Sequence, residues 1–168
     1  MKVDLPLILM LFVVFATGAE QLTTIYLIGS LRNPEVPKVG NRIRKETGLD
    51  IFDDWWSASD DADDWLRDYY KGRSFSYKEA IHSYAAKHIF EFDLHHLDRC
   101  DGGILLLPSG KSGHMEMCYL RGQGKPAYIL FDKEPERVDI MYNFATDIFF
   151  NIEDLINELR QVYGNGSK

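Results

Sequence analysis

The chain has 168 residues, 45% of them hydrophobic, enough for one compact domain to bury most of the apolar surface that its unfolded form exposes. A formal charge of -7 leaves no global positive field for holding a nucleic-acid backbone, which argues against a polymeric nucleic-acid partner. The two cysteines, Cys100 and Cys118, have neither the density of a disulfide scaffold nor the spacing of a zinc ribbon, and read as buried small residues.

Residues 1–20 stand apart. Leu5 to Ala16 is almost continuously apolar, Lys2 precedes it, and the small residues Ala16, Gly18 and Ala19 close it, a pattern similar to a signal peptide. A cleaved signal, a short membrane anchor and an extension lying outside the fold are the three readings. Asp4 cancels Lys2 and tips the balance toward a cytoplasmic chain, with export or anchoring as the alternative. The folded domain is therefore expected over residues 21–163, followed by a flexible tail at 164–168.

Within that domain, residues 24–28 (Thr-Ile-Tyr-Leu-Ile) are β-rich and run into Gly29-Ser30, as a buried first strand feeding a loop does. Asn33-Pro34 predicts a capped helix start, and Val36, Val39 and Ile43 carry a helical period to the stop at Gly48. Residues 49–52 predict a short strand. Residues 53–76 then form a loop-rich insert holding Trp55, Trp56, Trp65, Tyr69 and Tyr70 among acids, long enough to imply a function. Ser76 is placed to cap one long helix to about residue 98, its apolar face including Ala80, Ile81, Tyr84, His88, Ile89 and Phe92. Residues 102–107 are an uninterrupted apolar run, expected of a central parallel strand covered on both faces. A tight loop at 108–113, a helix at 114–121, a strand at 127–131 and a final helix capped by Asn151 complete the chain. Such alternation predicts an α/β three-layer sandwich of the flavodoxin or Rossmann-like kind, a mostly parallel twisted sheet with helices on both faces.

Ligands of such sheets bind beyond the carboxyl ends of the strands, so residues 29–33, 53–56 and 108–116 are expected to meet. The strongest local signal is Glu116, expected in the first turn of a helix that opens at a strand end. The helix dipole there is worth about 0.3–1 kcal/mol and predicts a carboxylate ionised at neutral pH, a competent nucleophile toward an anomeric carbon. Improved helix capping is the plainer reading of the same residue. Gly29, Ser30 and Arg32 form one potential oxyanion or phosphate cradle, and Ser109, Lys111, Ser112, Gly113 and His114 another, although neither has Walker spacing. The histidines have no metal-ligand spacing, and His88 reads as a structural residue on an apolar face. No metal and no cofactor is expected.

Four segments together resemble the nucleoside 2-deoxyribosyltransferase family and its relatives that hydrolyse deoxynucleoside 5'-monophosphates. They are Ile-Tyr-Leu-Ile-Gly-Ser-Leu-Arg at 25–32, Asp-Leu-His-His-Leu-Asp-Arg-Cys-Asp at 93–101, Ser-Gly-His-Met-Glu at 112–116 and Val-Asp-Ile-Met at 138–141. The resemblance implies that Glu116 attacks C1' of the sugar to form a covalent glycosyl intermediate, which a second nucleobase or water then resolves. It implies that Asp93 binds the base and delivers a proton to the leaving nitrogen, with Trp55, Trp56 and Phe92 as aromatic walls and Asp54 beside them. It implies that Tyr26 orients the nucleophile, and that Asp139 and Met141 are donated by a neighbouring subunit of a homo-oligomer with shared active sites. The implied partners are a small nucleoside or nucleotide and a free nucleobase.

The chain departs from the transferase pattern in the loop before Glu116, where Ser-Gly-Lys-Ser-Gly replaces a longer segment carrying an aspartate. Gly-Ser-Leu-Arg looks closer to the monophosphate hydrolases, and Ser30, Arg32, Lys111 and Ser112 could make a 5'-phosphate site, whereas Asp139 would repel a dianion. Transfer at a nucleoside is the favoured expectation and monophosphate hydrolysis the alternative. A non-catalytic module that binds or senses a nucleotide is the alternative of another class.

Overall fold

The computed structural model describes residues 23–164. The expectations for residues 1–20 and for the tail after Gly164 lie outside the described residues. Five strands, β1 (Thr24–Ile28), β2 (Asp50–Phe52), β3 (Gly102–Leu106), β4 (Ala127–Leu130) and β5 (Asp147–Phe149), form one parallel sheet in the order β2-β1-β3-β4-β5. This is the flavodoxin-like order, whose direction of winding reverses between β1 and β3.

Alternation along the strands divides the core in two. Ile25 and Leu27 of β1, with Ile104 and Leu106 of β3, face α1 (Val36–Thr47) and α6 (Ile152–Tyr163), where Val36, Ile43, Leu155, Ile156 and Leu159 bury against them. Tyr26, Ile28 and Leu105 face the other way, onto Leu97 of α4 (Tyr84–Arg99) and Met117 and Leu120 of α5 (Lys111–Gly122). β3 is buried along its whole length, which is why its sequence is continuously apolar rather than alternating. Gly48 ends α1 with a φ of 75°, its N–H donating to Arg44 O, a conformation that costs a side-chain-bearing residue and not a glycine.

Several boundaries differ from expectation, each for a local reason. α1 begins at Val36 rather than Pro34, because the Asn33 side chain accepts from Glu35 N at 3.0 Å and closes a turn outside the helix. The insert is largely helical, with a 3₁₀ turn at Asp54–Ala58 and α2 at Ala62–Gly72. Ser59 and Ser74, on either side of α2, take left-handed φ values of 85° and 55°, which non-glycine residues rarely adopt. The single long helix is two: Ser76 and Glu79 make a capping box on α3 (Tyr77–Ile81), and Ser83 turns extended to cap α4 by accepting from Ala86 N. α5 starts at Lys111, so the loop between β3 and α5 is only Leu107 to Gly110. β5 and a 3₁₀ turn at Ile140–Phe144 were not expected, and Cys118 is exposed while Cys100 is buried. Among the described residues no helix is long and apolar enough to cross a membrane.

Candidate active site

The site assembles where β1 and β3 part. Tyr26 points from β1 toward the α4/α5 layer, is 2% exposed, and packs its ring 5.1 Å from Phe52 at the end of β2. Its hydroxyl donates to Asp93 Oδ1 of α4 over 3.4 Å, a long bond. α5 approaches from β3. A Cβ at Gly113 would lie 2.4 Å from Ser109 Oγ, 3.0 Å from Ile28 Cγ2 and 3.1 Å from Leu105 Cδ1, so glycine lets the first turn of α5 press against both strands. Glu116 follows three residues later on the same helix face.

Tyr26, Asp93 and Glu116 line one pocket of 390 Å³ together with Gly29, Asp54 and Trp55. The insert adds Ser57, Ala58, Ala62, Asp63 and Leu66 to the lining, and α4 adds His88, Ile89 and Phe92. Trp55 is held by its Nε1 donating to Leu27 O at 2.8 Å. A second, more apolar pocket of 420 Å³ shares Leu66, Ile89, Asp93 and Glu116 with the first and includes Ser112, Phe90, Met115 and Tyr119.

Burial dominates the electrostatics. It pushes the Glu116 carboxyl up to about 7, with the charge of Asp93 adding to the rise. The expectation of a dipole-lowered Glu116 is therefore corrected. Because α5 begins at Lys111, Glu116 is its sixth residue, beyond the turn over which the dipole acts, and desolvation wins. Burial also raises Asp93, against the opposing effect of the Tyr26 hydrogen bond. Tyr26 itself is driven far above the ordinary phenol range by burial, then by Asp93 and Glu116, and so remains a proton donor throughout the physiological range. Two carboxyl groups raised together and one fixed phenol donor can supply a nucleophile in the ionised form and an acid in the protonated form.

The other expected residues are distributed differently. Trp56 does not line the pocket; its Nε1 donates to Asn33 O at 3.2 Å and its ring packs on the α1/α6 side of the core. Arg32 is exposed and paired with Asp64 at 3.5 Å, while Ser30 Oγ accepts from Arg32 N. Lys111 is exposed, and Ser109 Oγ is buried without a hydrogen-bond partner among the described residues. His114 donates from Nδ1 to Gly110 O at 2.8 Å, leaving Nε2 to accept from the Tyr142 hydroxyl. Asp139 caps the 3₁₀ turn by accepting from Met141 N, and neither residue reaches the pocket of its own chain. His88, read as structural, is exposed and lines the pocket instead; its place one turn before Phe92 on α4 was the available signal. Nothing in the sequence separates Asp63 from the other acids of the insert. Among the described residues no cluster of three or more His, Cys, Asp or Glu side chains could hold a metal ion.

No family model matches the chain, and no curated protein does. Among solved structures it is similar to a 2-deoxyribosyltransferase from the psychrotolerant bacterium Bacillus psychrosaccharolyticus, at 18% identity and a TM-score of 0.54 over 80% of this chain and 91% of that one. It also aligns with a CMP N-glycosidase from Clostridium botulinum at 11% identity and a TM-score of 0.47, over 82% of this chain and 98% of that one. At such identities the likeness is one of fold. The likeness to the first and the resemblance read in the sequence lead to the same nucleoside 2-deoxyribosyltransferase fold.

Proposed function

We propose that this chain, built on the 2-deoxyribosyltransferase fold, is an enzyme that cleaves or transfers at the N-glycosidic bond of a nucleoside through a glycosyl ester on Glu116. The observation that carries the reading is the convergence of Tyr26, Asp93 and Glu116 on one pocket at the point where the winding of the sheet reverses. The ionised Glu116 carboxylate attacks C1', the C1'–N electron pair returns to the base, and Asp93 supplies a proton to the leaving nitrogen. Tyr26 holds the Asp93 carboxyl through its hydroxyl. A second nucleobase, or water, then attacks C1' and frees Glu116.

The pocket favours a nucleoside over its 5'-monophosphate. Asp54 and Asp63 add to the two central carboxyl groups, no lysine or arginine among the described residues lines the cavity, and Arg32 is engaged by Asp64. A phosphate dianion would meet like charge there. Assembly belongs to the same reading: Phe90 and Met115, both well exposed beside the second pocket, form the apolar surface that a second copy would cover, with Asp139 and Met141 reaching the neighbour's site.

Chromatography of base release tests the reading. Purified protein is incubated with deoxynucleosides, ribonucleosides and their 5'-monophosphates, with and without a second free base, beside Glu116→Ala. Release or exchange of base by the parent and not by the variant is expected. Dependence on the second base identifies transfer. Thermal stabilisation by a nucleoside without turnover on any substrate would replace the enzyme with a binding module.

A further inference from the structure

We propose that the substrate of this pocket is an N-glycoside whose leaving base carries a positive charge, because four carboxyl groups, Asp54, Asp63, Asp93 and Glu116, and the aromatic rings of Trp55 and Phe92 line one 390 Å³ cavity to which, among the described residues, no lysine or arginine contributes. The inference rests on the N-glycosidic reading above and names its substrate class. Aromatic faces and carboxylates are the two surfaces that stabilise an organic cation, the first through the ring quadrupole and the second through charge. The Trp55 ring is a fixed face, tied by its indole N–H to Leu27 O at 2.8 Å. Two of the four acids, Asp54 and Asp63, come from the insert and have no part in the proposed displacement chemistry. His88 also lines the cavity and offers a ring donor and a ring acceptor to a base edge.

The chemistry of such a substrate balances without an acid. As the bond from a Glu116 oxygen to C1' forms and the C1'–N bond breaks, the bonding pair returns to the ring nitrogen system and cancels the charge of the base. An anionic carboxylate and a cationic glycoside give a neutral ester and a neutral base, with no proton moved. Water then adds to C1', its proton passing to solvent, and Glu116 leaves as carboxylate. Asp93 remains anionic and holds the cation, and the bound charge offsets the repulsion between Asp93 and Glu116 that disfavours the ionised nucleophile.

The test compares 7-methylguanosine and nicotinamide riboside, both cationic, with guanosine, inosine and cytidine and with the available 2'-deoxy forms of each, on the full chain. Each rate is divided by the spontaneous rate. Asp54→Asn, Asp63→Asn and the double variant are run in parallel; both positions are exposed, and the unaltered melting of each variant is checked first. Base release with a kcat/KM at least tenfold higher for the cationic glycosides, a preference that falls at least tenfold in the double variant through KM, is the expected result. Neutral nucleosides turned over equally well, with the double variant affecting both classes alike, would overturn the charge selection and leave the glycosidic reading standing. Calorimetric binding of the cationic glycosides to Glu116→Gln, without turnover by the parent, would keep the selection and remove the chemistry. Neither binding nor turnover of any glycoside overturns both.

Discussion

Replacing Glu116 by glutamine should stabilise the protein while abolishing its activity. A carboxyl held at about 7 instead of 4.5 costs about 3 kcal/mol more to ionise in the folded chain than in the unfolded one. The folded chain binds this proton more tightly, so the stability attached to Glu116 is complete below pH 4.5 and is lost as pH rises through about 7. Glutamine fills similar volume and never ionises. The variant should therefore exceed the parent by a few tenths of a kcal/mol near pH 4.5, growing to about 3 kcal/mol above pH 7.5, an upper value because the side chain retains some solvent contact. At roughly 2–4 °C per kcal/mol for a domain of this size, that is roughly 6–12 °C in Tm. Urea unfolding of both proteins from pH 4.5 to 8 measures it. A variant no more stable than the parent at pH 8, or a difference that does not grow with pH, refutes burial as the dominant influence on Glu116.

Asp93→Asn removes the charge that is the second cause of the raised Glu116 value, so the ascending limb of kcat/KM against pH should move to lower pH, by less than the share due to burial. On neutral nucleosides the same variant should also lose kcat, since asparagine has no proton to give; an unmoved limb would disconnect the two carboxyl groups. Gly113→Ala should destabilise by about 1–3 kcal/mol in urea, because its methyl meets the Ile28, Leu105 and Ser109 side chains together, and three neighbours in a packed layer must shift at once. A cost under about 0.5 kcal/mol would show that α5 has room to shift.

Much of the fold was legible because burial writes itself into composition. The runs at 24–28, 102–106 and 127–130 are apolar since each strand is covered on both faces. β5 escaped because it has three residues, starts with Asp147 and pairs on one side only. The break between α3 and α4 escaped for a different reason. Apolar periodicity continues through it, and the interruption is made by Ser83, whose capping bond leaves no mark on the hydrophobic pattern. Of the candidate site, Tyr26, Asp93 and Glu116 could be named from sequence, but the protonation of Glu116 could not. A start at residue 114 puts Glu116 in the dipole's reach, worth up to about 1 kcal/mol; a start at Lys111 leaves burial, worth about 3, unopposed. Asp63 reaches the pocket only through the tertiary placement of α2, which no local pattern encodes, whereas His88 was readable from its place one turn before Phe92 on α4.

The segment between β2 and α4 buries almost nothing of its own: no residue of the 3₁₀ turn, α2 or α3 is fully buried. Trp55 and Trp56 are the exceptions in kind, partly buried and packed against the core, each with its indole N–H fastened to a backbone carbonyl. They act as rivets at the root of an appendage. Beyond them, sequence can vary without disturbing a strand pair, while Asp93 and Glu116 belong to helices anchored on the sheet by Leu97, Met117 and Leu120. A different segment between Trp56 and Ser83 would therefore replace Ser57, Ala58, Ala62, Asp63 and Leu66 of the pocket lining while leaving Asp54, Trp55, Phe92, Asp93 and Glu116 in place, so that under the proposed reading part of the substrate selection could change without touching the reacting groups.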